Sequence, residues 1–405
     1  MDAASDWRYR LSFSERLASI VKITAEYKSA NPDVTPAEAS QRAKTLEASI
    51  FGRASEILDY HRQCNELLDE LRQEAKPVQD AVSIDKDEEL GQRGTKTVGR
   101  YKNARHFRDG LHSDVYKATA PVDNPASFVG LAGAVVALKV TYLIGMTPPH
   151  NSEREVRVLQ KLSHPNIIPL WESFREPGYS HLVLVFPFMP YELDMILRQG
   201  YIAEAQGRSY LRDLFSALMY LHSVGIIHRD VKPSNILMKT PSGPAYLADF
   251  GIVWDPNDPD SEPPDQKITD VGTTSYRAPD ILFGNSSYDA SLDIWAGGCV
   301  AAQVVTSSST PFFDSGDAGS DLTLIQSIFM KLGTPTLESW PAAESCPDWG
   351  KIQWVEYSPK PWSELLPDTS TVARDLISKL IVYQGSERLT AAQALQHPFF
   401  QAALA

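Results

Sequence analysis

The chain has 405 residues, 43% hydrophobic and 22% charged, a globular composition that excludes wholesale disorder and collagen-like repeats. Its 51 acidic against 38 basic side chains leave a formal charge of −13, which argues against nucleic acid as a partner, since phosphate neutralisation dominates such binding. No run of about 20 apolar residues is present, so no membrane span is expected. Three scattered cysteines and a start without an apolar leader fit the cytoplasm and/or nucleus.

Residues 1–76 are rich in Ala, Glu, Leu and Arg, and three helices are expected there. The first covers about residues 13–28, starting near Phe13, and Asn31-Pro32 ends it. Thr35, Pro36 and Glu38 supply an N-cap, a first-turn proline and an acidic third position for the second, which runs to about Phe51 and stops at Gly52. The third, about 56–75, sets Ile57, Tyr60, Cys64, Leu67, Leu68 and Leu71 on one face. These form either a three-helix module or an extension that docks on the next domain. Residues 77–99, with Asp85-Lys86-Asp87-Glu88-Glu89 and three glycines, have the composition of a linker. Beyond Arg100, short β-branched runs at 114–117, 134–140 and 181–186 give way after Tyr191 to helical patterns. An α+β fold of two lobes over 100–400 is expected.

Four segments of this second part point to phosphoryl transfer. His228-Arg229-Asp230-Val231-Lys232-Pro233-Ser234-Asn235 sets a carboxylate, an ammonium and an amide on one loop. Moving a γ-phosphoryl group to a hydroxyl needs a carboxylate that orients the hydroxyl and takes its proton, with cations and metal ligands around the phosphates. Fourteen residues after Asn235, an apolar strand ends in Asp249-Phe250-Gly251, where a carboxylate can ligate Mg2+. Val136-Ala137-Leu138-Lys139 places a lysine on a central strand. Sixteen residues later an amphipathic stretch can bring Glu155 back to Lys139 and hold it against nucleotide phosphates.

In that order Lys139, Glu155, the loop 228–235, Asp249 and Ala278-Pro279-Asp280 resemble a eukaryotic protein kinase, with Lys232 the serine/threonine-type residue. The resemblance implies a β-rich N-lobe and an α-rich C-lobe with ATP and Mg2+ between them. It makes Asp230 the catalytic base, Asn235 and Asp249 the metal ligands, and Thr273 a hydroxyl bridging Asp230 and Lys232. Asp293-Ile294-Trp295 with Gly298 resembles the helix that buries an aspartate under the catalytic loop. Arg388 stands where the family pairs an arginine with the acid of Ala-Pro-Glu, here the shorter Asp280, so an ion pair of poorer reach is expected.

Residues 164–168, 184–186, 276–279, 332–335 and 397–400 are similar to the cyclin-dependent kinase group. That match makes Phe186 the gatekeeper, Pro187 to Met189 the adenine hinge, Phe107, Val115, Ala137 and Leu237 the adenine walls, and Glu192 a ribose acceptor. Residues 267–273, 281–284, 319–322 and 325–329 look more like the single-subunit fungal kinases that activate cyclin-dependent kinases. A cyclin-dependent kinase's activation threonine is the substrate this implies. Asn151-Ser152-Glu153-Arg154-Glu155 replaces the cyclin-binding helix signature, which puts a cyclin requirement in doubt.

Three departures qualify the resemblance. Aligned on Gly-x-Gly-x-x-Gly-x-Val, the segment from Arg108 to Val115 keeps one glycine, Gly110. Either Arg108 compensates by facing the nucleotide, or the loop no longer binds phosphate and the protein is a pseudokinase scaffold. Between Asp255 and Asp270 stand six acids and one lysine. Their carboxylates are expected to pair with Arg154 and Arg229 and order the segment without phosphorylation; a solvated acidic loop is the alternative. Trp254 replaces a third arginine, and Thr269 lies one residue off the usual phosphorylated position, Ile268. Gly272 stands where proline-directed kinases hold a strained positive-φ residue; glycine relieves that strain, so no strict proline requirement is expected. In the N-terminal part, residues 43–51 with Ser55 and Asp59-Tyr60 resemble the last helices of KIX-type coactivator modules. That implies an amphipathic partner helix in an apolar groove, and a further alternative in which this module is the main functional element.

Overall fold

The computed structural model describes residues 35–55, 57–74, 96–110, 112–121, 133–143, 146–175, 181–316 and 319–401, with single positions between 16 and 34. The chain divides into two compact units, Met1–Gly91 and Gln92–Ala405.

In the first unit, the described positions from Arg16 to Lys28 are helical, while Phe13 and most of 77–99 lie outside the described residues. Helix α1 is Pro36–Arg53. Its capping box forms as expected: Thr35 accepts from the Glu38 N–H, and the Glu38 carboxylate accepts from the Thr35 N–H at 2.9 Å. The helix continues through Gly52 and ends when Ala54 turns extended with its N–H on Ile50 O. Helix α2 is Ile57–Glu74. Ile23, Ala43, Leu68 and Leu71 form one small core, and Ile50, Ala54, Tyr60 and Cys64 another. Glu47, 1% exposed, is neutralised by Arg16 at 2.7 Å and accepts from Tyr60 OH at 2.9 Å.

The second unit opens with β1 (Lys96–Val98), inside the stretch expected to be linker. A three-residue strand with one buried side chain, Val98, is too short to show in composition. β2 (Tyr101–Asp109), β3 (Ser113–Thr119), β4 (Val135–Tyr142), β5 (Glu172–Arg175) and β6 (His181–Pro187) complete an antiparallel sheet in the order β1-β2-β3-β4-β6-β5. Between β4 and β5 lies helix α3 (Ser152–Lys161). Along β4, Val136, Leu138 and Val140 are buried in the lobe's core, so the alternating positions Ala137 and Lys139 face the opposite side. A slip of one residue would carry Lys139 into that core.

β7 (Tyr191–Glu192) leads into the short α4 (Leu193–Arg198) and the long α5 (Glu204–Ser223). β8 (Ile236–Met238) and β9 (Ala245–Leu247) add to β7 in a small antiparallel sheet. After α6 (Pro279–Leu282), α7 (Ser291–Thr306) is apolar almost all round and buried from Leu292 to Val304, which places it at the lobe's centre. A Cβ on Gly298 would stand 2.7 Å from Ile381, so glycine lets these elements close up. Each fully buried Leu, Ile or Phe of this core contributes roughly 1.5–3 kcal/mol. Among the described residues no helix is long and apolar enough to cross a membrane.

Candidate active site

The Lys139 ammonium donates to both oxygens of Glu155, at 2.8 and 2.9 Å, and to Asp249 at 2.9 Å. Strand pairing sets Lys139 opposite Val115 on β3 and Leu184 on β6. Asn151 caps α3, its side chain accepting from the Arg154 N–H at 2.8 Å, and holds the first turn that carries Glu155. Burial disfavours the lysine cation, but Asp249 and Glu155 outweigh it and keep its pKa above the ordinary lysine value. The same lysine charge holds Asp249 well below the usual carboxylate range.

Asp293, on α7 and 1% exposed, organises the loop of residues 228–235. Its oxygens accept from the His228 and Arg229 N–H groups, both at 2.9 Å, and one of them meets His222 at 3.0 Å. Burial alone would raise its pKa; His222 and His228 outweigh this and lower it. His228 is fully buried, and that burial lowers its pKa and favours neutral imidazole. Its Nε2 faces Ala248 O at 3.1 Å, while Nδ1 accepts from the Asp230 N–H at 3.3 Å. Arg229 and Asp249 both take positive φ, +71° and +64°, a conformation costly for non-glycine residues and maintained here by these bonds.

Asp230 Oδ1 accepts from Thr273 N at 3.0 Å and from its hydroxyl at 2.9 Å. Lys232 reaches Asp230 Oδ2 at 2.8 Å and the Thr273 hydroxyl at 2.7 Å, so the expected bridge forms. Asn235 Nδ2 donates to Asp230 O at 2.8 Å and Oδ2 at 3.0 Å, which leaves its amide oxygen as the end open to a cation. That oxygen and the Asp249 carboxylate are hard donors of the kind Mg2+ takes, so the residues present fit the ion.

The residues given catalytic, nucleotide-binding or metal-binding roles from the sequence all line one cleft of about 1010 Å3. Val115, Ala137, Phe186, Met189 and Leu237 stand on its walls, and Phe107 packs edge to face on Phe188, centroids 5.1 Å apart. Two details differ from expectation. Glu192 is ion-paired with Arg108 across the cleft rather than open for a ribose. Gly110 directs its N–H to Ser113 O at 2.6 Å, closing the covering loop on itself.

Gly272 keeps the positive φ, at +76°, and its carbonyl accepts from Arg277 Nε at 3.1 Å. Glycine takes this conformation without the strain that a side chain would bring, as the sequence implies. A Cβ there would lie 2.6 Å from Arg229 O, so any other residue would press on the loop carrying Asp230.

The acidic segment between Asp255 and Asp270 turns inward on α3. Glu262 accepts from Arg229 at 3.0 Å and lies 3.8 Å from Arg154. Arg157 clasps both oxygens of Asp258, at 2.7 and 2.8 Å, and reaches Asp260 at 2.5 Å; Lys161 meets Asp255 at 3.4 Å. The pairing of acids with Arg154 and Arg229 had been expected. The roles of Arg157 and Lys161 had not, although their spacing of three and seven from Arg154 marks one helical face. Trp254 secures the segment from within, its indole N–H on Glu262 O at 2.9 Å. At the base, Arg388 donates to Asp280 at 2.6 Å, so the shorter acid keeps full contact.

The protein kinase domain model matches residues 130–400. The chain is similar to the serine/threonine-protein kinase csk1 of Schizosaccharomyces pombe, 34% identical over 71% of this chain and 92% of that protein. It is also 34% identical to cyclin-dependent kinase D-1 of Arabidopsis thaliana, over 76% of this chain and 73% of the relative. Cyclin-dependent kinase 20 of Danio rerio is 34% identical over 75% and 84% respectively.

Proposed function

Because the chain belongs to the protein kinase family, as a serine/threonine kinase of the cyclin-dependent kinase group, we propose that it transfers the γ-phosphoryl group of Mg-ATP to the activation threonine of a cyclin-dependent kinase. The observation that carries the chemistry is the joining of two clusters in one cleft: Lys139 with Glu155 and Asp249, and Asp230 with Lys232 and Thr273. The substrate class rests on the resemblance of residues 267–273, 281–284, 319–322 and 325–329 to fungal activating kinases.

In this reading Asp230 orients the substrate hydroxyl and accepts its proton at the carboxylate. Lys232 balances charge on the transferred group, and Thr273 holds Asp230 and Lys232 in register. Lys139, fixed by Glu155, positions the α- and β-phosphates. Asn235 and Asp249 would hold Mg2+, which when bound neutralises charge on the β- and γ-phosphates. Phe107, Val115, Ala137, Met189 and Leu237 would enclose the adenine beneath the gatekeeper Phe186. For a ribose to use Glu192, Arg108 must yield.

Regulation follows from the acidic segment. Glu262 occupies the place between Arg154 and Arg229, and Asp255, Asp258 and Asp260 occupy the rest of the basic face of α3. The segment is thereby ordered without phosphate and α3 is held without a cyclin. The N-terminal unit is read as an interaction module for an amphipathic helix, and the protein as one of the cytoplasm and/or nucleus.

The test is phosphate transfer from labelled ATP to a panel of cyclin-dependent kinases. Asp230→Asn should lower turnover about 10²–10⁴-fold and Lys139→Arg should abolish most of it. Equal labelling by wild type and both variants would remove the proposal, and wild type inert with Mg-ATP would support a pseudokinase. Deleting residues 1–76 should leave transfer intact while impairing cellular function.

A further inference from the structure

The roof over the phosphate end of the cleft is short of donors. The one glycine of the covering loop, Gly110, already gives its N–H to Ser113 O at 2.6 Å. Arg108 is drawn to Glu192, and Asp109 contributes a carboxylate, partnered by His106 at 2.9 Å, beside the path of anionic phosphates. A nucleotide held here needs donors from elsewhere than the loop's backbone.

Two imidazoles stand in that place. His112, from the loop tip, and His150, just before α3, meet edge to face with centroids 4.7 Å apart. Both line the cleft together with Lys139, Asp230 and Asp249. Each is held through the backbone: Tyr142 N–H donates to His112 O at 3.0 Å, and Asn151 N–H donates to Gly251 O at 3.0 Å, which ties the neighbour of His150 to the turn after Asp249. Behind the pair lies a chamber of about 120 Å3. On its wall Thr141, 1% exposed, carries a hydroxyl with no hydrogen-bond partner among the described residues. A buried hydroxyl in that condition calls for a polar occupant.

We propose that His112 and His150 donate N–H groups to the β- and γ-phosphates of the nucleotide, in place of the backbone donors a glycine-poor loop does not offer. This rests on the nucleotide-binding reading of the cleft. An imidazole carries its N–H several ångströms from the backbone, so it can reach a phosphate that a loop amide does not. Neutral imidazole keeps one N–H in either tautomer, so the pair serves without being charged.

Calorimetric titration of the full chain with Mg-ATP and, separately, with adenosine divides phosphate recognition from base recognition. The double variant His112→Ala/His150→Ala should lose about tenfold or more in ATP affinity and stay within about twofold for adenosine. The variant His112→Gln/His150→Gln keeps a donor at each place and should regain part of the loss. Unchanged ATP affinity in the alanine variant overturns the proposal, and so does an equal loss for adenosine. If the double variant does not fold, His112→Ala alone decides, with about a threefold loss of ATP affinity expected and no loss overturning it. Wild-type protein that binds neither ligand overturns the nucleotide reading itself, and this proposal with it.

Discussion

Glu262 accepts a hydrogen bond from Arg229 at 3.0 Å, joining the acidic segment between Asp255 and Asp270 to the loop that holds Asp230. The Glu262 side chain is 14% exposed and that of Arg229 is fully buried, so the pair is shielded from water and only weakly screened by salt. Protein stripped of phosphate should therefore be active. Glu262→Gln, which keeps the shape and removes the charge, should cost at least about tenfold in turnover by leaving Arg229 uncompensated. Thr269→Ala should stay within about twofold of wild type. A phosphate-free enzyme that is inert until Thr269 is phosphorylated would reverse this conclusion.

The same pairs set a pH dependence. Burial would raise the pKa of Glu262, but Arg229 and Arg154 outweigh it and lower it; Arg157 lowers that of Asp258 by direct hydrogen bonds. Groups depressed on folding stabilise the native state fully above their unfolded pKa, about 4, and lose that contribution as pH falls through the folded value. Urea unfolding between pH 6 and pH 3 should show stability declining with acid. The slope should be shallower in Glu262→Gln and Asp258→Asn.

Gly272→Ala tests whether the close backbone approach supports catalysis. The new Cβ would meet Arg229 O at 2.6 Å, and the positive φ is unfavourable for alanine. Turnover should drop about tenfold or more with the melting temperature only slightly lowered, since the displaced loop carries Asp230 while the core around α7 is untouched. Wild-type turnover in this variant would show that the loop tolerates displacement.

Arg388→Ala should be the most destabilising of these changes. Its guanidinium is fully buried, pairs with Asp280 at 2.6 Å and also donates to Val382 O, Ser291 O and Tyr383 O. Removing it leaves a buried carboxylate and several carbonyls unpaired, a loss of about 3–5 kcal/mol. Denaturant unfolding would measure it, and a change under about 1 kcal/mol would contradict the ion pair's importance.

The residues of the site were legible because phosphoryl transfer demands particular side chains at short, regular separations. Asp230, Lys232 and Asn235 lie on one loop, and Lys139 sits on a strand whose alternation with Val136, Leu138 and Val140 declares which face it takes. Helix α1 was likewise announced by Thr35, Pro36 and Glu38. β1, β2 and β5 escaped notice for the opposite reason. β2 carries Lys102, Arg105, His106 and Arg108 and buries only Tyr101 and Ala104, so it lacks the apolar alternation by which strands are found.

Order along the chain thus determined which groups are available for chemistry, since identity and local spacing are properties of the sequence alone. Who partners whom was decided by the folded structure. Arg157 meets Asp258 across about a hundred residues, and Arg108 closes on Glu192 across more than eighty. Gly110 turns inward to Ser113, and His112 comes to rest against His150. Such pairings depend on how strands and helices pack, and packing energy is shared over a whole core rather than written in any short segment.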